Sequence, residues 1–487
     1  MKNLFLFVLG ALLVFTQYQN SRSRESIDAR GGPVVLWWAT GDGLIMASIP
    51  GQFRAWLSNQ GLTDIDLRLD TANRGRQKFL MQGVTGVAAD LTDFYGWELL
   101  AYDEVGLIAE LTEPWISKVP RYVQATPQYQ RDGRTLGLPR SINFNLIWVN
   151  RAAFRRVGME EPPDRWDFDT FERIGIEYDR KANAGLARRK FFFFDGLGGR
   201  YENLLHAAGV STYNETLTAP THDNPAFIRV MERVSKWRNV DHLVPSVAEA
   251  ASFNVEQGFG FAQFQVFARG DIAMTTPGRW MIQQLRRMNS RLEVRGIELP
   301  HGGFPCATAH VSGVGIYRGT KHRKEAGLFL KYLASPEYNR YIAGQLEALP
   351  PDPAYAEHRD FIHPEGFTNE WPFHEAFAKQ AKTILCPGEN SPFVPVGLYD
   401  QKSYSLFDAH RNGLLSAPEL ARELDRALDS GMSNHLSKHP DLRGRYLEAC
   451  QRQRKIDALK AKREQIPLEL IDNPFLKAYL RYAGKAG

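Results

Sequence analysis

The sequence predicts an α/β protein of two lobes, on two observations. At 487 residues the chain exceeds what one ordinary core accommodates and supports two lobes with an additional segment. Along it, short apolar runs alternate with helical patterns, the signature of a mainly parallel sheet covered by helices. A hydrophobic share of 43% and a charged share of 24% fit a soluble globular chain rather than a disordered or multi-span one.

Taken in order, Met1-Lys2-Asn3 precedes an apolar run from Leu4 to Phe15, after which the chain turns polar at Thr16. A short basic end followed by about a dozen apolar residues predicts a secretory signal rather than a full bilayer span. No small-x-small pair follows the run, and no cysteine stands there for lipid attachment. Residues 1–25 therefore read as a cleaved signal or a short uncleaved anchor, with an apolar first helix packed on the body as the alternative.

After a linker rich in Ser and Arg, Pro33 to Trp38 is a buried-strand candidate ending in Ala39-Thr40-Gly41-Asp42-Gly43, and a helix is expected through Phe53 and Trp56. The pattern repeats with a strand at Ile65 to Leu69, a helix at Gly75 to Met81 and a strand end at Ala88 to Asp93. Asn143 to Asn150 has strand propensity before Arg151 to Val157 turns helical. Glu161 to Asp167 is a turn into a helix that Asp167 or Asp169 can cap. Asp195-Gly196-Leu197-Gly198-Gly199-Arg200 reads as a turn, because neither its glycine spacing nor its ending fits a phosphate loop. Tyr201 to Gly209 is helical, and Ser416 caps a helix running through Leu424 and Leu428. Asp441 to Gly487 forms a highly charged helical extension, expected to lie on one lobe in preference to docking another protein.

Three segments carry a family resemblance. The first is Gly270-Asp271-Ile272-Ala273-Met274-Thr275-Thr276-Pro277-Gly278-Arg279-Trp280, and the second Ser312-Gly313-Val314-Gly315-Ile316-Tyr317. The third is the helix-like stretch from Lys324 to Glu337. In this order and spacing they resemble the extracellular solute-binding proteins of ABC importers, specifically the large carbohydrate-binding (family 1) branch, over roughly residues 33–434. The resemblance implies a two-lobed periplasmic-binding-protein fold with a cleft between the lobes and several inter-lobe crossovers. It assigns 33–143 and 306–365 to the first lobe, 144–305 and 366–434 to the second, and leaves 435–487 as the extension. It implies capture of an extracytoplasmic carbohydrate, a mono- or oligosaccharide, for delivery to ABC permease subunits in the inner membrane. Such a protein is exported, periplasmic or otherwise extracytoplasmic, acts as a monomer, and needs neither cofactor nor covalent step.

A sugar offers apolar C–H faces and a rim of hydroxyls, which aromatic rings and polar side chains can meet. Loops beyond strand C-termini face the ligand in such sheets, which selects Trp38, Asp42, Asp93, Tyr95 and Trp97. Trp38 is the leading stacking candidate, against a role in the core, and Asp42 a hydroxyl acceptor, against capping the next helix. Trp97 stacks on solute or packs on the helix from Glu98 to Glu104. Asn143 and Asn145 fall at the crossing implied by the resemblance, where their amides meet hydroxyls or satisfy a turn. Trp280 is a stacking or gate residue, and Arg279 reaches a hydroxyl or joins a surface ion pair. Gly278 permits the turn that presents both. Ser312 to Gly315 is small enough for close packing, the favoured reading, or for backbone contact with a ligand. His310 is expected to be a hydrogen-bonding core residue.

Other chemistries find little support. The formal charge of +5 comes with no nucleic-acid-binding module. Twelve histidines form no metal-ligand spacing, and neither His-Glu-x-x-His nor a Gly-x-Ser-x-Gly elbow occurs. Cys306, Cys386 and Cys450 are too dispersed for a disulfide framework; either Cys306 pairs with Cys386, or the thiols are free and buried. The chain is expected not to be an enzyme. The alternatives are a secreted glycan-processing enzyme using two carboxylates and a sugar receptor for a sensory system.

Overall fold

The computed structural model describes residues 32–487 except 42, 63, 198–200, 254–260, 288–291 and 346–347, and leaves out the side chains of Leu44, Trp97 and 261–263. The expected signal or anchor at 1–25, Asp42 and the Gly198-Gly199-Arg200 turn lie outside the described residues. In chain order the strands are β1 (Val34–Ala39), β2 (Ile65–Leu69), β3 (Leu91–Tyr95), β4 (Gln130–Arg131), β5 (Arg134–Thr135), β6 (Leu138–Asn143), β7 (Ile147–Asn150), β8 (Phe192–Asp195), β9 (Ile272–Thr275), β10 (Val294–Ile297), β11 (Ala307–Thr308), β12 (His310–Ile316) and β13 (Leu385–Cys386).

The apolar runs separate into two main sheets because each needs helices on its faces to exclude water. The first has the order β2-β1-β3-β12-β6, and the second β10-β7-β9-β8. The expectation of a mainly parallel sheet holds only in part. β1 is parallel to β2 and β3, and β8 to β9, but β12 runs antiparallel to both β3 and β6. β7 is likewise antiparallel to β9 and β10. Strands that return from the opposite sheet enter against the local direction, which mixes both.

Around the first sheet lie α1 (Leu44–Asn59), α2 (Arg76–Val84) and α3 (Gly96–Glu104). α4 (Phe168–Ala182) and α5 (Pro225–Asn239) cover the second. Asp167 caps α4, its carboxylate accepting from Thr170 N at 2.8 Å. The helix-like third segment becomes two helices, α6 (Arg323–Leu333) and α7 (Pro336–Gly344), because Pro336 ends the first pattern and Ser335 caps the next. Ala326, Phe329, Leu330 and Leu333 form one face of α6 and meet Trp38 and Phe53 in the first-lobe core. α8 (Trp371–Thr383) joins the larger apolar core, which spans both sheets, through Phe373 and Phe377. Phe377 stacks at 4.2 Å on Phe144, which is buried in the crossing between β6 and β7.

Gly313 settles the Ser312–Gly315 alternatives in favour of packing. A Cβ there would collide with the Phe94 ring and stand 2.8 Å from the Leu138 carbonyl oxygen. Only glycine lets β12 lie between β3 and β6 with Phe94 beneath it.

The chain ends in α9 (Leu398–Arg411), α10 (Ala417–Lys438), α11 (Pro440–Lys462) and α12 (Pro474–Tyr482). Ser416 caps α10 through a reciprocal box with Glu419. The helix continues to Lys438, past the expected start of the extension at residue 435. The extension lies on the body of the protein. Ile456, Ile466, Ile471, Phe475 and Leu480 form a small core with Phe304 and the paired Cys306 and Cys386. These two cysteines form a disulfide, which decides between the alternatives left by sequence, and Cys450 is free. The Phe475 ring stacks on His206 at 4.1 Å.

The disulfide closes a loop of sequence separation 80. Chain-entropy reasoning gives such a loop about 4 kcal/mol of stabilisation. Urea unfolding with and without a thiol reductant is therefore expected to show a lower midpoint for the reduced protein; equal midpoints would show that the bridge constrains nothing.

Candidate functional site

The C-terminal ends of β1 and β3 bring together a buried polar group. Asp93 Oδ1 accepts from Trp38 Nε1 at 2.8 Å, and its Oδ2 accepts from Thr40 Oγ1 at 2.5 Å. The Arg140 guanidinium stands 3.9 Å away. Burial raises the Asp93 pKa above the ordinary aspartate value, opposed by Arg140 and the two donors. Each carboxylate oxygen retains capacity for a second hydrogen bond, and the side chain keeps 17% exposure. Tyr95, at the tip of β3, is exposed, and its hydroxyl accepts from Arg74 at 3.2 Å. Glu98, one turn into α3, accepts from Tyr95 N at 2.8 Å, and burial raises its pKa against that bond.

The crossing supplies the next groups. Asn143 ends β6, opposite His310 at the start of β12. Its side-chain oxygen is buried without a hydrogen-bond partner. Asn145 is half-buried on the wall of a chamber of ≈ 670 Å³. That chamber sits at the C-terminal end of the second sheet, between Asp195 of β8, Thr276 after β9, and Tyr404 and Arg411 of α9. Tyr201, also on its wall, accepts from Arg238 and Arg411 at 3.3 Å each. Asn203 lines the same chamber with a buried side-chain oxygen that has no hydrogen-bond partner. Buried acceptors are ordinarily satisfied, so Asn143 and Asn203 mark places suited to a hydroxyl donor.

The sequence-derived candidates divide sharply. Asp93, Tyr95, Asn143 and Asn145 lie at strand ends or the crossing. Trp280 is half-buried against the larger apolar core. Gly278 has ordinary extended backbone, φ −73°, so its requirement is spatial rather than conformational. A Cβ there would stand 2.6 Å from Trp280 Nε1. Trp97 lies in the first turn of α3.

Two candidates are corrected. Trp38 is 0% exposed, with its indole bonded to Asp93 and its ring 5.0 Å from Phe329. It orients the carboxylate from within the core and offers no face to a solute. Arg279 is also 0% exposed. It donates to His374 Nδ1 and to the Ala348 and Phe361 carbonyl oxygens at 3.3 Å each, with its guanidinium 3.8 Å over the Phe361 ring. Burial, reinforced by Arg286, pulls its pKa down to about 9. It fastens the loop after β9 to the segments carrying Ala348 and Phe361. His310, expected in the core, is instead exposed and lines the chamber.

Sequence reasoning missed Asp195, Tyr201, Asn203, Tyr404 and Arg411. Asp195 had a signal, since the apolar run Phe191-Phe192-Phe193-Phe194 ends on it as a buried strand should. Tyr404 and Arg411 lie on a helix whose direction toward the chamber is set by long-range packing.

A second polar cluster lies beside the chamber. Glu389 accepts from Thr212 N at 2.6 Å, Asn473 Nδ2 at 2.8 Å and His206 Nε2 at 3.4 Å, and also from Ser211. Burial works to raise its pKa, but His206 and the donors outweigh it and hold the carboxyl below its ordinary value. These partners tie the loop around residue 389 to the 206–212 segment and, through Asn473, to the extension. Among the described residues, no group of three or more His, Cys, Asp or Glu side chains is placed to hold a metal ion.

With this geometry in hand, comparison with known proteins is informative. The family model for bacterial extracellular solute-binding proteins matches residues 60–369. No curated protein matches. Among solved structures, the ABC substrate-binding protein Lmo0181 from Listeria monocytogenes in complex with cycloalternan is similar, with 16% identity and a TM-score of 0.65, over 84% of this chain and 99% of its own. The sugar-binding protein MalE from Xanthomonas citri has 13% identity and a TM-score of 0.66, over 83% and 98% of the two chains. A cyclo/maltodextrin-binding protein complexed with maltotetraose has 18% identity and a TM-score of 0.63, over 82% and 98%. At these identities the likeness shows the two-lobed fold.

The corrected residues generate two expectations. Arg279→Ala leaves two carbonyl oxygens and a histidine without their donor, and is expected to cost roughly 3 kcal/mol of stability. Chemical unfolding measures this; an unchanged midpoint would return Arg279 to the cleft. His374, fully buried, has its pKa pushed from 6.5 to about 4 by burial and by Arg279. The folded state therefore binds fewer protons than the unfolded state between those values, and this group's stabilisation is lost as pH falls from 6.5 toward 4. His374→Gln is expected to flatten the acid slope over that window in unfolding titrations.

Proposed function

Because the chain belongs to the bacterial extracellular solute-binding protein family, we propose that it captures a carbohydrate in the cleft and delivers it to an ABC importer. The observation that carries the sugar reading is the chamber between Asn145 and Arg411. It combines the exposed aromatic ring of Tyr404 with the unpartnered Asn203 acceptor. Aromatic faces suit C–H surfaces, while amide and carboxylate acceptors suit hydroxyls. The named sugar-binding neighbours support the same solute class.

In this reading Asp93 and Tyr95 contact the solute from the first lobe, and Asn143 and Asn145 from the crossing. Trp280, Asp195, Asn203 and Tyr404 contact it from the second, and Asp42 and Trp97 are further proposed contacts from the first. Contacts from both sides favour a closed population, because the ligand binds that state with more partners. The ranges 33–143 with 306–365, and 144–305 with 366–434, are the proposed lobes. The proposed partners are inner-membrane permease subunits, and the proposed active form is a monomer in the periplasm, free or tethered through residues 1–25. Membership in an extracellular family itself places the protein outside the cytoplasm. No described helix is long and apolar enough to cross a membrane.

Calorimetry of the purified protein against a mixed sugar library, with product analysis of the same mixtures, tests the reading. Saturable binding with unchanged sugars is expected, whereas turnover would replace capture by glycan processing. Trp280→Ala is expected to weaken a bound sugar by about 1–3 kcal/mol; a folded variant with native affinity would remove Trp280 from the site.

A further inference from the structure

A second cavity of ≈ 410 Å³ lies between the β4–β5 hairpin and α11. Asp132, Arg445, Glu448 and Arg452 stand on its walls, and Phe393 and Ala449 contribute apolar surface. The hairpin belongs to the first lobe, whereas α11 is the added C-terminal helix, so this cavity is partly built by the extension. A smaller space of ≈ 180 Å³ lies between the two regions. It shares Glu202 and His310 with the ≈ 670 Å³ chamber, and Gln128 and Asn390 with the second cavity.

The volumes decide the shape of the occupant. Both larger chambers fall within the range of about 300–1,000 Å³ that accommodates small-molecule ligands, and the space between them falls below it. Two chambers with a smaller space between them suit a chain of linked units better than one compact unit. The wall chemistry decides the ligand's charge. Arg445 pairs with Asp132 through bonds of 2.6 and 3.1 Å, and Arg452 pairs with Asp472. With these cations already neutralised, the wall does not call for an anion. Its apolar surface with a polar rim suits the C–H faces and hydroxyls of a neutral glycan.

We infer that the solute is an elongated neutral oligosaccharide whose far end rests in a subsite walled by the C-terminal extension. This rests on the carbohydrate-capture reading and adds a length requirement to it. The loop between the chambers is held by the Glu389 cluster, in which Asn473 from the extension takes part. The extension thus both walls the far subsite and helps fix the loop beside the smaller space. A short sugar occupies the first chamber alone, and a longer one gains contacts in the second.

The test uses the full chain and a library of neutral di- to octasaccharides, with retained members read by mass spectrometry and their affinities measured by calorimetry. The native protein is expected to bind longer members about tenfold more tightly than the disaccharides. Asn390→Trp narrows the space between the chambers, and Glu448→Trp fills the far cavity from α11. Both positions are exposed, so the substitutions spare the core; should one variant misfold, the other still reads the subsite. Each folded variant is expected to lose the length advantage and retain native disaccharide affinity. Affinity independent of length, or a length advantage that survives both substitutions, overturns the far subsite while leaving capture intact. Retention of no sugar by the native chain overturns the capture reading, and the subsite with it.

Discussion

The architecture depends on one returning strand fitting into a space left for it. β12 comes from the region of the disulfide, begins at the chamber with His310, and then pairs with β3 and β6 in the first sheet. Six of its seven residues are buried, so its main-chain groups must be satisfied by those neighbours. Gly313 lets it settle against Phe94. A bulge between Ser312 and Gly313 adjusts its pairing with β6. The same strand therefore completes a sheet and sets His310 on the wall of the ≈ 670 Å³ chamber. A fault in its seating would displace both together.

Much of this plan was legible because it is local. Ile65–Leu69 was read as a strand with its observed bounds, and the caps at Asp167 and Ser416 follow from side chains that bond three residues onward. The strand-end rule put Asp93 near the end of a strand, where β3 has it, and the resemblance put Asn143 and Asn145 at a crossing, which runs between β6 and β7. The rule failed for Trp38 because terminal position does not say which side of the sheet a residue faces. Trp38 meets Phe329, nearly three hundred residues away in the chain, and that contact claims the ring for the core. Arg279 failed for a related reason. A charged residue in a turn is ordinarily solvated, but here carbonyls from two distant segments and an aromatic ring enclose it. Tyr404 reaches the chamber only because α9 docks there, which no local pattern encodes.

The extension shows the same limit. Its helical pattern and high charge were legible, but its anchorage was not. Asn473 bonds to Ser211 across 262 positions and to Glu389 across 84. Phe475 finds its partner in His206, and the small core closes around a disulfide whose pairing sequence left open. A buried carboxylate such as Glu389 is tolerated only while its donors remain in place. The extension supplies one of them, so its seat is specified by a polar network as well as by apolar burial. This explains how a helix with so much exposed charge is nonetheless fixed to one face.

Contacts of the β4–β5 hairpin with α11, and of α2 with the loop before α9, are of a different kind. Arg445 and Asp132 are both more than 40% exposed, and exposed pairs of this sort contribute about 0–1 kcal/mol and weaken with salt. Arg76, at the start of α2, reaches the Val396 carbonyl oxygen at 3.4 Å. Such contacts add little to the apolar core that joins the two sheets, in which Phe94 and Leu99 share one cluster with Phe144, Trp148 and Phe171. The turn between β6 and β7 buries Phe144 fully, so local unfolding there exposes core and is disfavoured. A solute touching both proposed lobes needs only a few kcal/mol of differential affinity to alter the populations of their open and closed arrangements. A glycan long enough to reach from the first chamber to α11 would supply that difference at two separated places. Length would then enter recognition through the geometry of closure as well as through the number of units bound.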